Sequence, residues 1–332
     1  MLEYVTGMLQ CPDCAGELSW NIHKRREHRI WEATAECKQC GGKYPVREGI
    51  GVFLVGKDWR KEDLWAQLDS ELLQYLQANP ETEHLLMKSP VETLKPADQF
   101  FRARILEERG DFDAAKKILD KVDEGIYTQE YLDCYQRQME YILDALGDSE
   151  GPLVDLASGR GGLVEQELKR HARPMIVSDL SPSVLQRDRK WLEHFELYDG
   201  VSLLAFDARH TPFKNRAIGT LTTNQGLANI RQPEGLLKEL RRVVGGSFLA
   251  TSLFYDPEDE ANAGTINELH LDMLFRENAV ESFRRSGWKL SIENACIAHA
   301  LPTPNAELLE GAGIDGLPVA ATELEWATLV AR

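Results

Sequence analysis

The chain reads as an α/β protein: a mostly parallel seven-stranded sheet covered by helices on both faces, preceded by a small β module and a helical segment. Three observations predict this. From residue 126 onward, apolar strand-like runs alternate with helical runs; residues 1–57 carry short alternating runs broken by Cys-Pro, Ala-Gly and Gly-Gly; and residues 58–125 between them switch to helical spacing. A parallel crossover needs a connection of helix length, so strand-helix alternation selects the parallel sheet and the helices that bury it. At 332 residues with 43% apolar content, the chain exceeds one average domain and can bury one sizeable core or two smaller ones.

In chain order, residues 18–22 and 44–55 alternate with period two and read as strands, within a module too small to supply its own core. Leu64, Leu68, Leu72 and Leu76 then follow at i, i+4 steps, with Pro80, Pro90 and Pro96 dividing the helical stretch. Residues 100–119 form one helix-turn-helix unit of tetratricopeptide type, but no second copy follows at a fixed period, so a repeat array is not expected. A helix ending at Leu146 precedes strands at 153–156, 175–177, 201–206, 220–223 and 247–252. Two further runs, 289–299 and 324–330, are joined by a Pro/Gly-rich connection without a helix, which predicts an antiparallel pair at one edge.

The formal net charge of −16 gives no global attraction for phosphate backbones or anionic membranes. It is unevenly spread: residues 1–60 hold nine Lys/Arg against eight Asp/Glu, leaving 29 against 46 for the remainder. No run approaches the roughly 18 apolar residues of a membrane helix. The opening MLEYVTGMLQ lacks the basic start and apolar core of a signal peptide, so a cytoplasmic protein is expected. Six cysteines fall as two close pairs plus Cys134 and Cys296, which in a reducing compartment favours metal binding over disulfides.

The pairs are Cys11-Pro-Asp-Cys14 and Cys37-Lys-Gln-Cys40, two CxxC knuckles with 22 residues between them, close to the four-thiolate spacing of structural zinc ribbons. Four thiolates fill the coordination sphere of Zn2+, so the ion is expected to be structural, with His23 and His28 outside it. The segments CPDCAGEL and CKQCGGKYPVREGIGVFLV resemble the Trm112-like zinc-ribbon family over residues 5–56. That resemblance implies a module that activates or is fused to a methyltransferase, and through which a protein partner or substrate is held.

Leu153 to Gly162 (LVDLASGRGG) is an apolar strand running into a glycine-rich turn, with a helix after it. A dinucleotide fingerprint would need a third glycine at 164, where Val164 stands, so a pyrophosphate cradle is not indicated. The second strand ends in Asp179, 20 residues after Gly159, placed to accept from ribose hydroxyls; the third ends in Asp207, placed to accept from an adenine amino group.

Together VDLASGRGG, SDLSPSVL, FDARHTPF and TNQGLANI resemble the class I S-adenosylmethionine-dependent methyltransferase family over residues 126–332. The resemblance implies a Rossmann-like seven-stranded sheet with S-adenosylmethionine at its carboxyl ends. Asp155, Gly159 and Gly161 take the methionine end, Asp179 the ribose, Asp207 the adenine and Gln225 with Gly226 the sulfonium, with Ala157, Leu180 and Ala208 beside them. Ala157 replaces the usual first glycine of the turn, and residues 214–218 replace the common acidic-aromatic-Asp sequence before strand four. The implied architecture is a zinc ribbon at 1–57, a helical linker at 58–125 and a methyltransferase domain at 126–332.

Methyl transfer asks the protein mainly to align acceptor, methyl and sulfur and to exclude water. Where the acceptor must lose a proton, His210 and His270 are the candidate general bases. Asn224-Gln-Gly-Leu lacks the (Asp/Asn)-Pro-Pro-aromatic sequence that holds planar amino nitrogens, which argues against adenine N6 and glutamine as acceptors. Tyr127, Tyr131 and Tyr135 lie at i, i+4, i+8, either as an aromatic lid or as one helix face packed on the sheet. A small-molecule acceptor fits the acidic body; RNA, bound through the basic run 23–29 (HKRREHR), is the alternative, and a non-catalytic cofactor-binding regulator is the third reading.

Overall fold

The computed structural model describes residues 1–56, 59–147, 149 and 151–332. Four strands open the chain: β1 (Leu18–Arg26), β2 (Arg29–Cys37), β3 (Lys43–Arg47) and β4 (Ile50–Val52). Six helices follow: α1 (Trp59–Glu62), α2 (Leu64–Ala78), α3 (Pro80–Lys88), α4 (Pro96–Glu108), α5 (Phe112–Ile126) and α6 (Gln129–Gly147). Strands and helices then alternate as expected: β5 (Leu153–Leu156), α7 (Gly162–Arg170), β6 (Met175–Asp179), α8 (Pro182–His194), β7 (Val201–Ala205), β8 (Ile218–Asn224), α9 (Pro233–Val243) and β9 (Val244–Phe254). The chain closes with α10 (Glu260–Leu269), α11 (Arg276–Arg285), β10 (Leu290–Ala300) and β11 (Thr322–Ala331).

All seven expected strands are present, in the order β7-β6-β5-β8-β9-β11-β10. Strands β5 to β9 run parallel, and β11 inserts antiparallel between β9 and β10. The order reverses at β5, flanked by β6 on one side and β8 on the other, which is the Rossmann-like arrangement. Alternate residues of each central strand face opposite layers. Leu153, Met175 and Val177 pack with Met139, Ile142 and Leu146 of α6 and Leu185 of α8, whereas Val154, Ile176 and Leu204 pack on the face that holds Leu236 and Leu240 of α9 and Phe283 of α11. Local chemistry starts the helices where the chain leaves the sheet: the Ser181 side chain accepts from Val184 N ahead of α8, and Asp111 from Ala114 N ahead of α5.

The seven-strand expectation is corrected in size, because the sheet has eleven strands among the described residues. Strand β4 pairs parallel with β7 through Ile50↔Leu203, Gly51↔Leu204 and Val52↔Ala205, so the opening module continues the main sheet in the order β1-β2-β3-β4. The sequence reading singles out no strand between 23 and 43, where β2 forms the middle of this extension. Close approach decides the residue at 51: a Cβ there would stand 2.8 Å from Leu204 Cδ2 and 2.9 Å from Phe53 Cε2. The second fastening is Arg29, 6% exposed, whose guanidinium donates to the backbone carbonyls of Tyr198, Asp199 and Val201 at the start of β7 and lies 4.1 Å over the Tyr198 ring.

Arg29→Ala would leave those carbonyls without their donor at a buried seam. The expected cost is about 2–4 kcal/mol of unfolding free energy, read as a lower urea midpoint. Arg29→Lys recovers only part of it, because one ammonium lacks the planar fork that spans three acceptors.

Candidate cofactor crevice, acceptor cavity and cysteine cluster

The two CxxC knuckles fold alike. Cys11 N donates to Gly16 O and Ala15 N to Cys11 O; Cys37 N donates to Gly42 O and Gly41 N to Cys37 O. The fifth residue of each turn, Ala15 (φ 58) or Gly41 (φ 73), is left-handed, which turns each loop back on its own cysteines. The Sγ atoms of Cys11, Cys14, Cys37 and Cys40 all lie within 4.8 Å of one another, with 3.6 Å for Cys11–Cys40 and 3.5 Å for Cys14–Cys37. Four sulfurs about 2.3 Å from one tetrahedral ion would stand about 3.8 Å apart, so the cluster has the size zinc requires. His23 bonds Thr34 Oγ1 at 3.2 Å and His28 stands 3.5 Å from Asp199, both away from the sulfurs.

The glycine-rich turn begins where β5 ends. Ala157 (φ 53), Gly159 (φ 53) and Gly161 (φ 70) are left-handed in alternation, and Gly161 leads into the N-terminus of α7. Ala157 holds a conformation that glycine adopts without strain, at the position where glycine is usual. A Cβ on Gly159 would meet nothing nearer than 4.0 Å, so the turn presents bare backbone to open space. The β8 end leans against it: a Cβ on Gly226 would fall 2.3 Å from Thr223 Oγ1 and 2.8 Å from Ala157 Cβ, so only glycine fits that contact. Asn224 Oδ1, buried at the end of β8, lacks a hydrogen-bond partner among the described residues, while its amide donates to Tyr135 Oη at 3.3 Å. Bare backbone and an orphaned acceptor at converging strand ends are what a ligand with N–H and O–H donors requires.

Buried carboxylates surround the turn. Asp179 accepts Gly159 N–H at 3.1 Å and Ser181 N–H at 2.9 Å; burial raises its carboxyl against those bonds. Asp155 accepts from Thr222 Oγ1 at 2.9 Å, and burial pushes it up to about 8, reinforced by Asp188 and Asp179. Asp188, pushed by burial up to about 6, takes a 3.1 Å bond from Arg187, which also donates to Gly159 O. Leu180 follows Asp179 at the β6 end. At the end of β7, Phe206 and Ala208 are buried on either side of Asp207. Arg209 brackets Asp207 through its backbone N–H and its guanidinium, which the sequence pattern gave no sign of.

A cavity of about 490 Å³ adjoins the crevice at Gln225 (φ 59). Its walls are mainly apolar and aromatic, and Tyr127, Tyr131, Tyr255 and Asp315 supply polar groups. Sequence spacing found Tyr127 and Tyr131 but neither Tyr255, just after β9, nor Asp315, which arrives on the irregular connection between β10 and β11. The three tyrosines do not share one helix: Tyr127 lies in the break between α5 and α6, where it stacks 4.6 Å from Tyr131 and lines the cavity with it, while Tyr135 of α6 reaches Asn224 in the crevice. His210 and His270 are exposed, and neither lines the cavity. Of the basic run only Arg29 is buried; Lys24, Arg25 and Arg26 stay exposed, with Lys24 paired to Glu32, Arg25 to Glu3 and Arg26 over the Trp31 ring.

The helical segment joins both halves of the site. Glu107 of α4 accepts from Arg160 in the glycine turn at 3.2 Å, and Arg160 stands 5.0 Å over the Phe100 ring. At the other end of α4, the buried Asp98 carboxylate accepts the backbone N–H of Glu307 and Leu308, at 3.1 and 3.0 Å, on the connection that carries Asp315.

The Asp155 geometry gives a pH signature. Its folded value near 8 lies above the ordinary 3.8, so the folded protein retains a proton that the unfolded chain releases. The resulting stability is full below about pH 4 and is lost as pH rises toward 8. Asp155→Asn is expected to flatten this decline in urea-unfolding free energy and to raise stability at pH 8, with Asp188 leaving a smaller slope of the same sign.

Residues 154–249 match a family model described as a methyltransferase domain. The ubiquinone/menaquinone biosynthesis C-methyltransferase UbiE of Ruegeria sp. is 29% identical over 111 residues, covering 32% of this chain and 44% of that protein. The protein of the same name from Citrobacter koseri is 28% identical over 114 residues, 33% of this chain and 45% of the relative. The chain thus spans less than half the length of these curated relatives. Among solved structures, geranyl diphosphate C-methyltransferase from Streptomyces coelicolor aligns with TM-score 0.45 at 16% identity, over 59% of this chain and 78% of that one. The YcgJ protein from Bacillus subtilis aligns with TM-score 0.47 at 12% identity, over 59% and 97%. No helix among the described residues is long and apolar enough to cross a membrane. From the second residue of β5 to the middle of β9, through the glycine turn and both acidic strand ends, the chain matches a methyltransferase domain carried on a Rossmann-like α/β sheet.

Proposed function

We propose that the protein is a cytoplasmic S-adenosylmethionine-dependent methyltransferase that modifies a small molecule, with a structural zinc ion in its cysteine cluster. The observation that carries this reading is Gln225, which directly follows the end of β8 in the proposed cofactor crevice and also lines the 490 Å³ cavity, so donor and acceptor sites share a wall. Asp155, Ala157, Gly159 and Gly161 would hold the methionine end, Asp179 and Leu180 the ribose, Asp207 and Ala208 the adenine, and Gln225 and Gly226 the region of the sulfonium. When bound, S-adenosylmethionine supplies a methyl group on a positively charged sulfur, which leaves as a neutral thioether. The protein's part is to orient the acceptor, exclude water with the apolar cavity walls and receive any proton the acceptor releases. A largely apolar pocket with a few polar groups suits a small acceptor. The C-methyltransferase relatives are consistent with that class. The net charge of −16 weighs against RNA as the acceptor.

Calorimetry with S-adenosylmethionine and S-adenosylhomocysteine is expected to give saturable binding that weakens at least tenfold in Asp179→Ala. Confirmed absence of binding to the unmodified protein would sink the methyltransferase reading. Elemental analysis is expected to find one zinc per chain, with Cys37→Ser losing the metal and the ribbon's amide protection together; zinc-free, fully folded protein would remove the structural role.

A further inference from the structure

We propose that the cavity beside Gln225 is built for a cationic amine, and that the Asp315 carboxylate, held by Tyr127, binds the amine nitrogen and takes its proton. The proposal rests on the methyltransferase reading for its chemistry, whereas the binding site stands on the cavity's own geometry and charge. Tyr127 Oη donates to Asp315 Oδ2 at 2.8 Å, and the Tyr127 ring stacks on Tyr131 with centroids 4.6 Å apart and planes 8° from parallel. Tyr255 lines the same space, and Tyr131 meets Trp326 edge-on at 4.9 Å, which fixes its ring. Burial first, and the nearby Asp315 charge second, raise the hydroxyls of Tyr127, Tyr131 and Tyr255, so all three stand within the field of this carboxylate. The Tyr131 and Tyr255 hydroxyls have no protein hydrogen-bond partner among the described residues. A carboxylate beside several tyrosine side chains in one cavity is the chemistry that recognises ammonium groups.

The surrounding charges agree. Asp123 adds negative potential at Tyr127 and Tyr131, and Asp259 does so at Tyr255. Asp315 is an exposed residue that lines the cavity, with its carboxylate held by Tyr127, and no cation pairs with it among the described residues. Arg231 is the cationic side chain of the lining; like Asp315 it is exposed, and no ion pair joins the two among the described residues. Desolvation lifts the Asp315 carboxyl above the ordinary carboxylate range, with the Tyr127 bond opposing, which suits a group that must hold a proton during turnover. A primary or secondary amine entering as its ammonium ion passes one N–H proton to Asp315. The freed lone pair forms the new N–CH3 bond as the C–S bond breaks with its electron pair remaining on sulfur; the products are a methylated ammonium and the thioether, and Asp315 returns its proton to water.

The test uses choline, a permanent cation that stands for the methylated product, and 3,3-dimethylbutan-1-ol, which has the same shape without the charge. Saturation-transfer NMR on the full chain is expected to show choline binding at least fivefold tighter. That preference should fall toward unity in Asp315→Asn with alcohol binding unchanged, and should survive in Tyr127→Phe, which keeps the ring and frees the carboxylate oxygen. Equal binding of the two probes, or a preference that persists in a folded Asp315→Asn variant, overturns the proposal. Should Asp315→Asn fail to fold, Tyr131→Leu is read instead, with at least a threefold loss of choline preference expected and no loss counting against the site. Calorimetry with S-adenosylmethionine on the same sample separates the two readings: donor binding without choline preference removes the amine alone, whereas choline preference without donor binding leaves an ammonium site and removes the transferase.

Discussion

The parallel pairing of β5 with β8 is the contact on which the rest of the molecule depends. From β5 the chain steps outward through β6 and β7, then crosses back to lay β8 on the opposite side. Successive right-handed crossovers on either side of that point send their helices to opposite faces, so the loops at the carboxyl ends part. The gap they leave exposes the bare backbone of the glycine turn and the end of β8. Contacts as close as Gly226 against Ala157 hold the floor of the gap shut.

The parts of this arrangement governed by short-range rules were legible in the sequence. Apolar runs, most of them next to helices, located β5 to β9, the Pro/Gly-rich connection set off β10 and β11 as a pair, and the paired cysteines announced their cluster through spacing alone. Non-local choices were not legible. Nothing local in Ile50–Val52 says that its edge will find β7, and Arg29 reads as one charge in a basic run until three carbonyls appear around it. Asp315 was invisible for the same reason: it reaches Tyr127 across 188 residues, from a connection with no periodic signal. His210 and His270 show the converse, residue types suited to proton transfer that the fold leaves at its surface.

Carboxylates serve the two halves of the site in different ways. Around the glycine turn they are ordered by the backbone: Asp179 spends both oxygens on N–H groups, and Asp155 and Asp188 are buried deeply enough to be held toward their protonated forms. Such groups keep the turn's shape at a cost in desolvation. Asp315 has one phenol as its partner and faces open space, so its charge is available to something that arrives there.

Helix α4 has a consequence for how these halves behave together. Its 13 residues make a strut about 20 Å long. Asp98 at one end grips the connection that brings Asp315, and Glu107 at the other grips Arg160 of the glycine turn. A rod tied at both ends converts slack in one wall into slack in the other. The spacing between the two pockets is thereby set by the number of residues in a helix that belongs to neither, and lengthening or fraying it would detune both pockets at once.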